Sequence, residues 1–216
     1  MQDLILVGAG GCMRELVWQI QELNKQTPSW NLLGYVDYTA PEEADGVTVG
    51  NGKIAYLGTD DVLLAMKKKV NVAVCVGDSN LRKKIVEKYL KNPNIEFPNL
   101  ILSDVHICED VQMGHGCIVS MDSKISTNVV MGNFVFLNTG AKVCHDGKID
   151  DFVTLSPDVT LAGNVSVGRG TELGMGAKVI QGIEIGSDVT IGAGAVVIRN
   201  ISNGSIAIGV PAKKLK

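Results

Sequence analysis

A six-residue hydrophobic period dominates the chain from residue 107 to residue 200. Ile, Leu, Val or Met occupies every sixth position from Ile107 to Val197, with no insertion. Neither the 3.6-residue period of an α-helix nor the two-residue period of a flat strand holds one phase over such a length. The pattern predicts a parallel β-helix of hexapeptide repeats, in which three hexads form one triangular coil and successive coils stack about 4.8 Å apart.

Two further columns of the repeat indicate how each coil turns. The residue four positions after each aliphatic is mostly small or β-branched, as at Ser123 and Ala195, which suits a second inward position in a narrow prism. The residue three positions after it is Asp, Asn or Gly at all but two sites, and these types tolerate a left-handed backbone at a tight corner. The exceptions, Phe134 and Phe152, lie one coil apart. We expect them to be exposed, stacked and part of an interface, with ligand contact as the second possibility.

The first hundred residues follow a different pattern, in which apolar runs alternate with amphipathic segments. This alternation predicts a small Rossmann-like parallel sheet with ligands at the carboxyl ends of its strands. The strands are expected at 4–7, 32–36 and 70–76, and the helices after the glycine turn at 8–11, at 60–69 and at 82–91. The change of period near residue 100 predicts an α/β domain over 1–98 and a β-helix domain over 99–216.

Composition narrows the classes of function. The net charge is −3 without a basic cluster, so nucleic acid is not an expected partner. No apolar run approaches membrane length and the N-terminus has no basic start, so we expect a cytoplasmic protein without a membrane partner. The five cysteines show no CxxC pairing and are expected to be reduced.

The turn after the first strand, Gly8-Ala9-Gly10-Gly11-Cys12-Met13, has no third glycine where a dinucleotide-binding motif requires one. NAD is therefore not expected. Two interpretations fit the turn. It is either a tight connection between a strand and a helix, or a helix N-terminus that holds a phosphate or polar group, with Asp37 and Gly77 at neighbouring strand ends.

Three histidines are the candidates for a metal centre, because a hexapeptide protein can be a zinc hydratase with three converging imidazoles. His115 and His145 share a corner column but lie five hexads apart. Five is not a multiple of three, so they are predicted to lie at different edges of the prism, and His106 is in another column. We therefore expect no metal site.

His145 is the only imidazole in its edge column, and Gly163 leaves space beside it one coil later. With the adjacent carboxylate of Asp146, it can act as a general base. The alternative is an ordinary polar corner residue. Asp146 also belongs to the row of corner-forming Asp, Asn and Gly residues, which explains its presence without catalysis.

Motifs spread over nearly the whole chain match one family. They are Leu6-Val7-Gly8-Ala9-Gly10-Gly11 with Arg14-Glu15, Gly34-Tyr35-Val36-Asp37, Val76-Gly77-Asp78 with Leu81-Arg82-Lys83-Lys84-Ile85, Leu137-Asn138-Thr139, His145-Asp146, Leu155-Ser156-Pro157, Leu161-Ala162-Gly163-Asn164-Val165 and Gly209-Val210-Pro211-Ala212-Lys213. With these motifs the chain resembles bacterial acetyl-CoA-dependent sugar acyltransferases, including sialic acid O-acetyltransferases and N-acetyltransferases of nucleotide-linked 4-amino sugars.

The resemblance implies a left-handed β-helix assembled as a homotrimer, with active sites between subunits. It implies His145 as the base, Asp146 as the carboxylate that raises its basicity, and Asn138 beside the reacting centre. The residues implied to bind the sugar nucleotide are Gly10, Gly11, Cys12, Asp37, Gly77 and Asn80. Those implied to line the coenzyme A groove are Thr154, Gly163, Met175 and Ala193.

This chain departs from the family pattern at three places. The family commonly has His-Gly where this chain has Cys12 and Met13, an acidic residue at Tyr38, and a histidine at Thr154. The catalytic pair is retained while the acceptor loop differs. The expected function is therefore transfer of acetyl from acetyl-CoA to an amine or hydroxyl of a nucleotide-activated amino sugar. The alternatives are O-acetylation of sialic acid or another free small acceptor, and a non-catalytic scaffold that binds a nucleotide sugar.

Overall fold

The computed structural model describes residues 1–40, 46–50 and 52–215. The chain forms two compact units, Met1–Gly77 with Leu81–Pro98 and Asp78–Asn80 with Asn99–Lys216. Among the described residues, no helix combines the length and apolar character that crossing a bilayer requires.

Strands and helices alternate in the part of the chain before residue 99. The elements are β1 (Gln2–Val7), α1 (Gly11–Gln26), β2 (Trp30–Val36), β3 (Val47–Val49), β4 (Gly52–Ile54), β5 (Tyr56–Gly58), α2 (Asp60–Leu64), β6 (Val70–Val74), α3 (Ser79–Tyr89) and β7 (Ile95–Glu96). One sheet has the order β5-β2-β1-β6-β7 and is parallel throughout, while β3 and β4 form a separate antiparallel pair. The predicted Rossmann-like parallel sheet is confirmed.

The centre of this sheet is apolar on both sides, as parallel sheets require. Leu4, Ile5 and Leu6 of β1 are completely buried. Met13 and Leu16 of α1 lie in the core at helical spacing. The apolar run and the amphipathic segment that predicted these elements therefore supply the side chains that hold them together.

Some predicted boundaries are wrong. Helix α2 ends at Leu64 instead of residue 69, because the chain must become extended to enter β6 at Val70. Helix α3 begins at Ser79, three residues earlier than predicted. The strands β3, β4, β5 and β7 were not predicted, because each has at most three residues, too few to show a period.

The second unit is built from short strands, nearly all of two residues. They are β8 (Leu100–Ile101), β9 (His106–Ile107), β10 (Gln112–Met113), β11 (Ile118–Val119), β12 (Lys124–Ile125), β13 (Val130–Met131), β14 (Phe136–Leu137), β15 (Lys142–Val143), β16 (Lys148–Ile149), β17 (Thr154–Leu155), β18 (Thr160–Leu161), β19 (Ser166–Val167), β20 (Glu172–Leu173), β21 (Lys178–Val179), β22 (Glu184–Ile185), β23 (Thr190–Ile191), β24 (Val196–Val197), β25 (Ile206–Ile208) and β26 (Lys213–Lys214). Consecutive strands belong to different sheets, and each strand pairs in parallel with the strand eighteen residues later along most of the unit. The predicted left-handed β-helix of hexapeptide repeats is confirmed.

In the described residues these strands form three faces of a prism. The first face has the order β26-β25-β23-β20-β17-β14-β11-β8, the second β24-β21-β18-β15-β12-β9, and the third β10-β13-β16-β19-β22. The chain passes from the first face to the second, then to the third, and back to the first in every coil. Each corner of one coil therefore lies beside the corresponding corner eighteen residues away.

The inward column forms the core of the prism. Val119, Leu137 and Leu155 are completely buried, as are small second-position residues such as Ala141. Residues of the corner column adopt the predicted left-handed backbone, with φ of 61° at Asp146, except at its two ends, Asp110 and Asn200. The two inward columns and the corner column thus specify a repeating coil locally, without long loops.

The expectation of an exposed aromatic pair is wrong. Phe134 and Phe152 are each only 5% exposed, and their rings stack with centroids 5.2 Å apart. The ring of Phe134 lies over Gly116 in the preceding coil, where a Cβ atom would come within 2.4 Å of it. The guanidinium of Arg169 lies over Phe152, 5.6 Å from the ring centroid. The rings therefore lie along the edge instead of projecting from it, because Gly116 leaves room for the Phe134 ring and the Phe152 ring stacks on Phe134.

Candidate active site

His145 and Asp146 form a hydrogen-bonded pair at the edge between the second and third faces. Nδ1 of His145 lies 2.8 Å from Oδ2 of Asp146, and the two side chains are 50% and 47% exposed. A carboxylate can only accept hydrogen bonds, so Nδ1 carries the proton in the neutral imidazole and Nε2 keeps its lone pair. The pair therefore presents a basic nitrogen that a substrate can reach.

Gly163 lies directly beneath the imidazole of His145, one coil later on the same edge. A Cβ atom at Gly163 would lie 2.3 Å from Cε1 and 2.5 Å from Nε2 of the ring. No other described residue accepts a hydrogen bond from the Gly163 N–H. Glycine at this position therefore leaves room for the ring and leaves one backbone donor available beside it.

The Asp146 carboxylate is held from both sides. Its Oδ1 accepts a hydrogen bond of 2.6 Å from Nδ2 of Asn128, while its Oδ2 faces His145. The hydrogen bond with His145, followed by that with Asn128, lowers the pKa of Asp146 below its usual value. Asp146 therefore remains ionised at neutral pH and stabilises the imidazolium that forms when His145 takes up a proton.

Asn138 lies at a different edge of the same chain, between the first and second faces. It follows β14, its side-chain oxygen accepts a hydrogen bond from the Thr139 N–H, and its backbone N–H donates to the carbonyl of Leu155. The second face, with β15, separates Asn138 from His145 along the chain. The predicted catalytic residues are therefore not gathered at one edge of a single chain.

The predicted coenzyme-binding residues are divided in the same way. Gly163 lies at the edge of His145, which we call the histidine edge. Met175 and Ala193 lie one coil apart at the edge of Asn138, which we call the methionine edge, and both are exposed. Thr154 lies on the first face in β17 and is 6% exposed. In one chain, the predicted coenzyme-binding residues therefore lie on two different edges and on the face that contains Thr154.

In the glycine turn of the first unit, the backbone conformation favours glycine at Gly8 but not at Gly10 or Gly11. Gly8 has φ +105°, a conformation that favours glycine. Gly10 and Gly11 have no positive φ, and a Cβ atom at Gly10 would meet nothing within 4 Å. Gly10 caps α1 without a side-chain hydrogen bond, and the first turn of this 16-residue helix has no acidic residue. The turn therefore leaves the positive end of the helix dipole accessible, which favours the ligand-binding interpretation.

The other predicted acceptor residues follow neighbouring strands. Because β2, β1 and β6 are adjacent in the sheet, Asp37 after β2 and Gly77 after β6 flank the glycine turn at the carboxyl edge. Asp37 Oδ1 accepts a hydrogen bond from the Thr39 N–H at 2.9 Å. Asn80 is exposed near the start of α3.

Arg82 stabilises the loop after β6, a role that was not predicted. The residue is 2% exposed, and its Nη1 donates to the carbonyls of Val76 at 2.8 Å and Gly77 at 2.9 Å. A buried cation that holds two consecutive carbonyls fixes the direction of the loop. The signal in the sequence that could have indicated this role is the presence of Arg82 in the family motif that follows Gly77.

The Cys12-Met13 departure affects one exposed side chain only. Met13 is completely buried in the core, so it is not part of the turn surface. Cys12 is partly exposed, and burial, with a smaller contribution from Glu15, raises the pKa of its thiol to about 12. At neutral pH Cys12 is a neutral thiol, suited to packing against a ligand and not to nucleophilic attack.

The three histidines lie at three different places. His115 lies between the third and first faces with its ring 5.0 Å edge-on to Phe134, His145 lies at the histidine edge, and His106 lies on the second face. The separation of His115 from His145 follows the predicted spacing. No group of three or more His, Cys, Asp or Glu residues suited to a metal ion occurs within residues 1–40, 46–50 and 52–215.

Family comparisons match both parts of the chain. Residues 3–89 match the PglD N-terminal domain, and residues 164–199 match the bacterial transferase hexapeptide family of six repeats. Comparison with curated protein sequences gives no significant match.

Solved structures match over the full length. A variant of GDP-perosamine N-acetyl transferase from Caulobacter crescentus, in complex with CoA and GDP-perosamine, is 30% identical, with 100% of this chain and 98% of that chain covered and a TM-score of 0.83. The acetyltransferase domain of PglB from Neisseria gonorrhoeae FA1090, in complex with acetyl coenzyme A, is 30% identical over 99% of each chain with a TM-score of 0.84. WeeI from Acinetobacter baumannii AYE, at 23% identity over 100% of each chain, shares the fold with a TM-score of 0.82.

Proposed function

The chain belongs to the bacterial hexapeptide-repeat sugar acetyltransferases, and we propose that it transfers acetyl from acetyl-CoA to the amino group of a nucleotide-linked amino sugar. It is an acyltransferase with acetyl-CoA as co-substrate. The observation that carries the proposal is the His145-Asp146 pair, with Nε2 of His145 unblocked above Gly163. The similar structure of GDP-perosamine N-acetyl transferase contains GDP-perosamine. This supports the proposal that the acceptor here is an amine of a nucleotide sugar.

In the proposed reaction, the acceptor nitrogen attacks the thioester carbonyl of acetyl-CoA as Nε2 of His145 removes its proton. Asp146 stabilises the imidazolium through Nδ1. Collapse of the tetrahedral intermediate breaks the C–S bond, and the imidazolium returns the proton to the departing thiolate. The amide and the free thiol of coenzyme A are then the products, and no acyl-enzyme intermediate is required.

The oxyanion of the tetrahedral intermediate needs hydrogen-bond donors placed in advance. The Gly163 N–H is such a donor, since it lies beside the His145 ring and makes no hydrogen bond to another described residue. We assign it to the developing oxyanion. We assign Asn138, which lies on the methionine edge, to a position beside the reacting centre.

The glycine turn of the first unit is the proposed site for the nucleotide part of the acceptor. Backbone N–H groups at the start of α1 favour a phosphate, and Gly10 and Gly77 leave open space for its approach. The Asp37 carboxylate at the neighbouring strand end is placed to accept hydrogen bonds from sugar hydroxyls.

A panel of acceptors tests the proposed function directly. We expect thiol release from acetyl-CoA with at least one GDP-, UDP- or dTDP-linked 4-amino sugar, and a product that mass spectrometry identifies as the amide. The same nucleotide sugar with a hydroxyl in place of the amine is the matched control and should react poorly. Turnover of free sialic acid alone would support O-acetylation of a free acceptor instead. Thiol release with none of the acceptors would support a scaffold.

We further propose that the active site forms between copies of the chain in a homotrimer, because one chain places His145 and Asn138 on different edges. Trimers are an ordinary closed symmetry. Co-expression of His145→Ala chains with Asn138→Ala chains should then restore activity, since about a third of the interfaces in a trimer that contains both variants combine two intact halves. The measurement is acetyl transfer by oligomers purified through a different tag on each variant.

The control for this experiment is each variant expressed alone, with its native mass determined by light scattering. Both should be nearly inactive and have a mass about three times the 22.9 kDa of one chain. Mixed trimers that remain as inactive as the single variants would show that one chain supplies both residues.

A further inference from the structure

We infer that Asn128 is a positioning residue for the reaction, acting through Asp146 to keep His145 in the tautomer with a basic Nε2. The inference rests on the proposed role of His145 as the base. That role can hold even if Asn128 has no effect on the reaction. Asn128 lies on the histidine edge one coil before Asp146. It makes no hydrogen bond to His145, so its proposed effect on the ring passes through the carboxylate.

The geometry defines the direction of each hydrogen bond. Asp146 is ionised and can only accept, so the side-chain amide of Asn128 must turn its Nδ2 towards Oδ1 at 2.6 Å. This contact fixes the rotation of the carboxylate and leaves Oδ2 to face Nδ1 of His145 at 2.8 Å. A carboxylate that is free to rotate would hold the imidazole less well in one orientation and one tautomer.

Asn128 is itself anchored from the preceding coil. Its backbone N–H donates to Oδ2 of Asp110 at 3.0 Å, and the same oxygen accepts the hydroxyl of Thr127 at 2.5 Å. The hydrogen bond from Thr127, followed by that from Asn128, lowers the pKa of Asp110. An ionised Asp110 therefore holds the Asn128 backbone at neutral pH. The edge carries a connected row of contacts through Asp110, Asn128, Asp146 and His145.

A corner-forming role alone does not explain this arrangement. Asn128 has φ 56° and belongs to the corner column, where Asp and Gly serve equally well. Asn164 occupies the same column one coil after Asp146 with φ 57°, yet its side chain makes no hydrogen bond to Asp146 or to any other described residue. The two asparagines therefore share a left-handed corner backbone and differ in their contacts. The Asn128 side chain holds Asp146, whereas the Asn164 backbone N–H donates to the carbonyl of His145 at 2.8 Å, a contact that glycine keeps.

This pair provides a matched test. Asn128→Gly and Asn164→Gly each keep a left-handed corner and remove one exposed amide, but only the first removes the hydrogen bond to Asp146. Asn128→Asp keeps the side-chain shape and replaces the donor with a second carboxylate facing Asp146. We expect both Asn128 variants to lower kcat roughly 5- to 10-fold with KM within about twofold, while Asn164→Gly stays within about twofold of wild type.

The second readout needs no substrate. Nitrogen-15 NMR of labelled histidine, with the His145 signals assigned by their loss in His145→Ala, reports the tautomer at a pH where the imidazole is neutral. Wild type and Asn164→Gly should show the Nδ1–H form, and both Asn128 variants an increased Nε2–H fraction. Unchanged tautomer ratios in both Asn128 variants would overturn the inference, as would an equal effect of Asn164→Gly. Full activity of His145→Ala would instead contradict the proposed role of His145 as the base. The NMR result would then still show whether Asn128 controls the tautomer of His145.

Discussion

His145→Ala is expected to lower kcat for acetyl transfer by about 100-fold or more, because a positioned general base contributes about 10²–10⁴ to the rate. The substitution removes the only imidazole of the histidine edge and leaves Asp146 with Asn128 as its one side-chain partner. The measurement is steady-state thiol release with the acceptor identified by the panel. The side chain is half exposed, so its removal should affect the fold little.

His106→Ala is the matched control for this prediction. His106 is also an exposed histidine of the β-helix, on the second face, and no role in the reaction is assigned to it. We expect its kcat to stay within about twofold of wild type, in the usual range for an exposed substitution away from a site. If His145→Ala also keeps its activity within a few-fold, the reaction does not use this base.

Gly163→Ala is expected to lower kcat roughly 100-fold, although it adds only one methyl group. That methyl would lie 2.3 Å from Cε1 of His145, so the ring must move away from its place above the glycine. Displacement of a catalytic group by about 1 Å can cost about 10² in rate. Gly163 has no positive φ, so alanine suits the backbone, and thermal unfolding should shift little. The measurement is kcat at saturating acetyl-CoA.

The double variant separates two explanations for that loss. If Gly163→Ala acts through the ring, it should lower kcat by less than about threefold when added to His145→Ala, because the two substitutions then disturb one interaction. A further large loss in the double variant, or a rise in KM for acetyl-CoA with kcat unchanged, would contradict this explanation. The second of these outcomes would assign Gly163 to coenzyme binding alone.

Much of the scaffold could be predicted because its determinants repeat. The row from Ile107 to Val197 predicted the β-helix, and the corner column predicted left-handed residues such as Asp146. The spacing of His115 and His145 correctly predicted different edges. Short irregular elements such as β3 and β5 were not predicted, since a three-residue strand contains no period, and the end of α2 depends on where β6 begins.

The aromatic pair shows what a repeat leaves undecided. The hexad period placed Phe134 and Phe152 at successive corners of one edge. It did not reveal that Gly116 leaves room for the Phe134 ring to lie along the edge, where both phenylalanines are only 5% exposed. Whether a corner side chain projects or lies flat depends on its neighbour eighteen residues away. That dependence also explains why Asn128 was not predicted as a functional residue.

The sequence by itself determined the two kinds of fold, the acetyltransferase family and the candidate pair His145-Asp146, because periodicity and motifs are local properties that one chain carries along its length. Only the tertiary structure decided that the His145 ring occupies the space above Gly163 and that Asn128 holds the far oxygen of Asp146. These relations join residues of different coils, and their distances depend on side-chain packing that no period encodes.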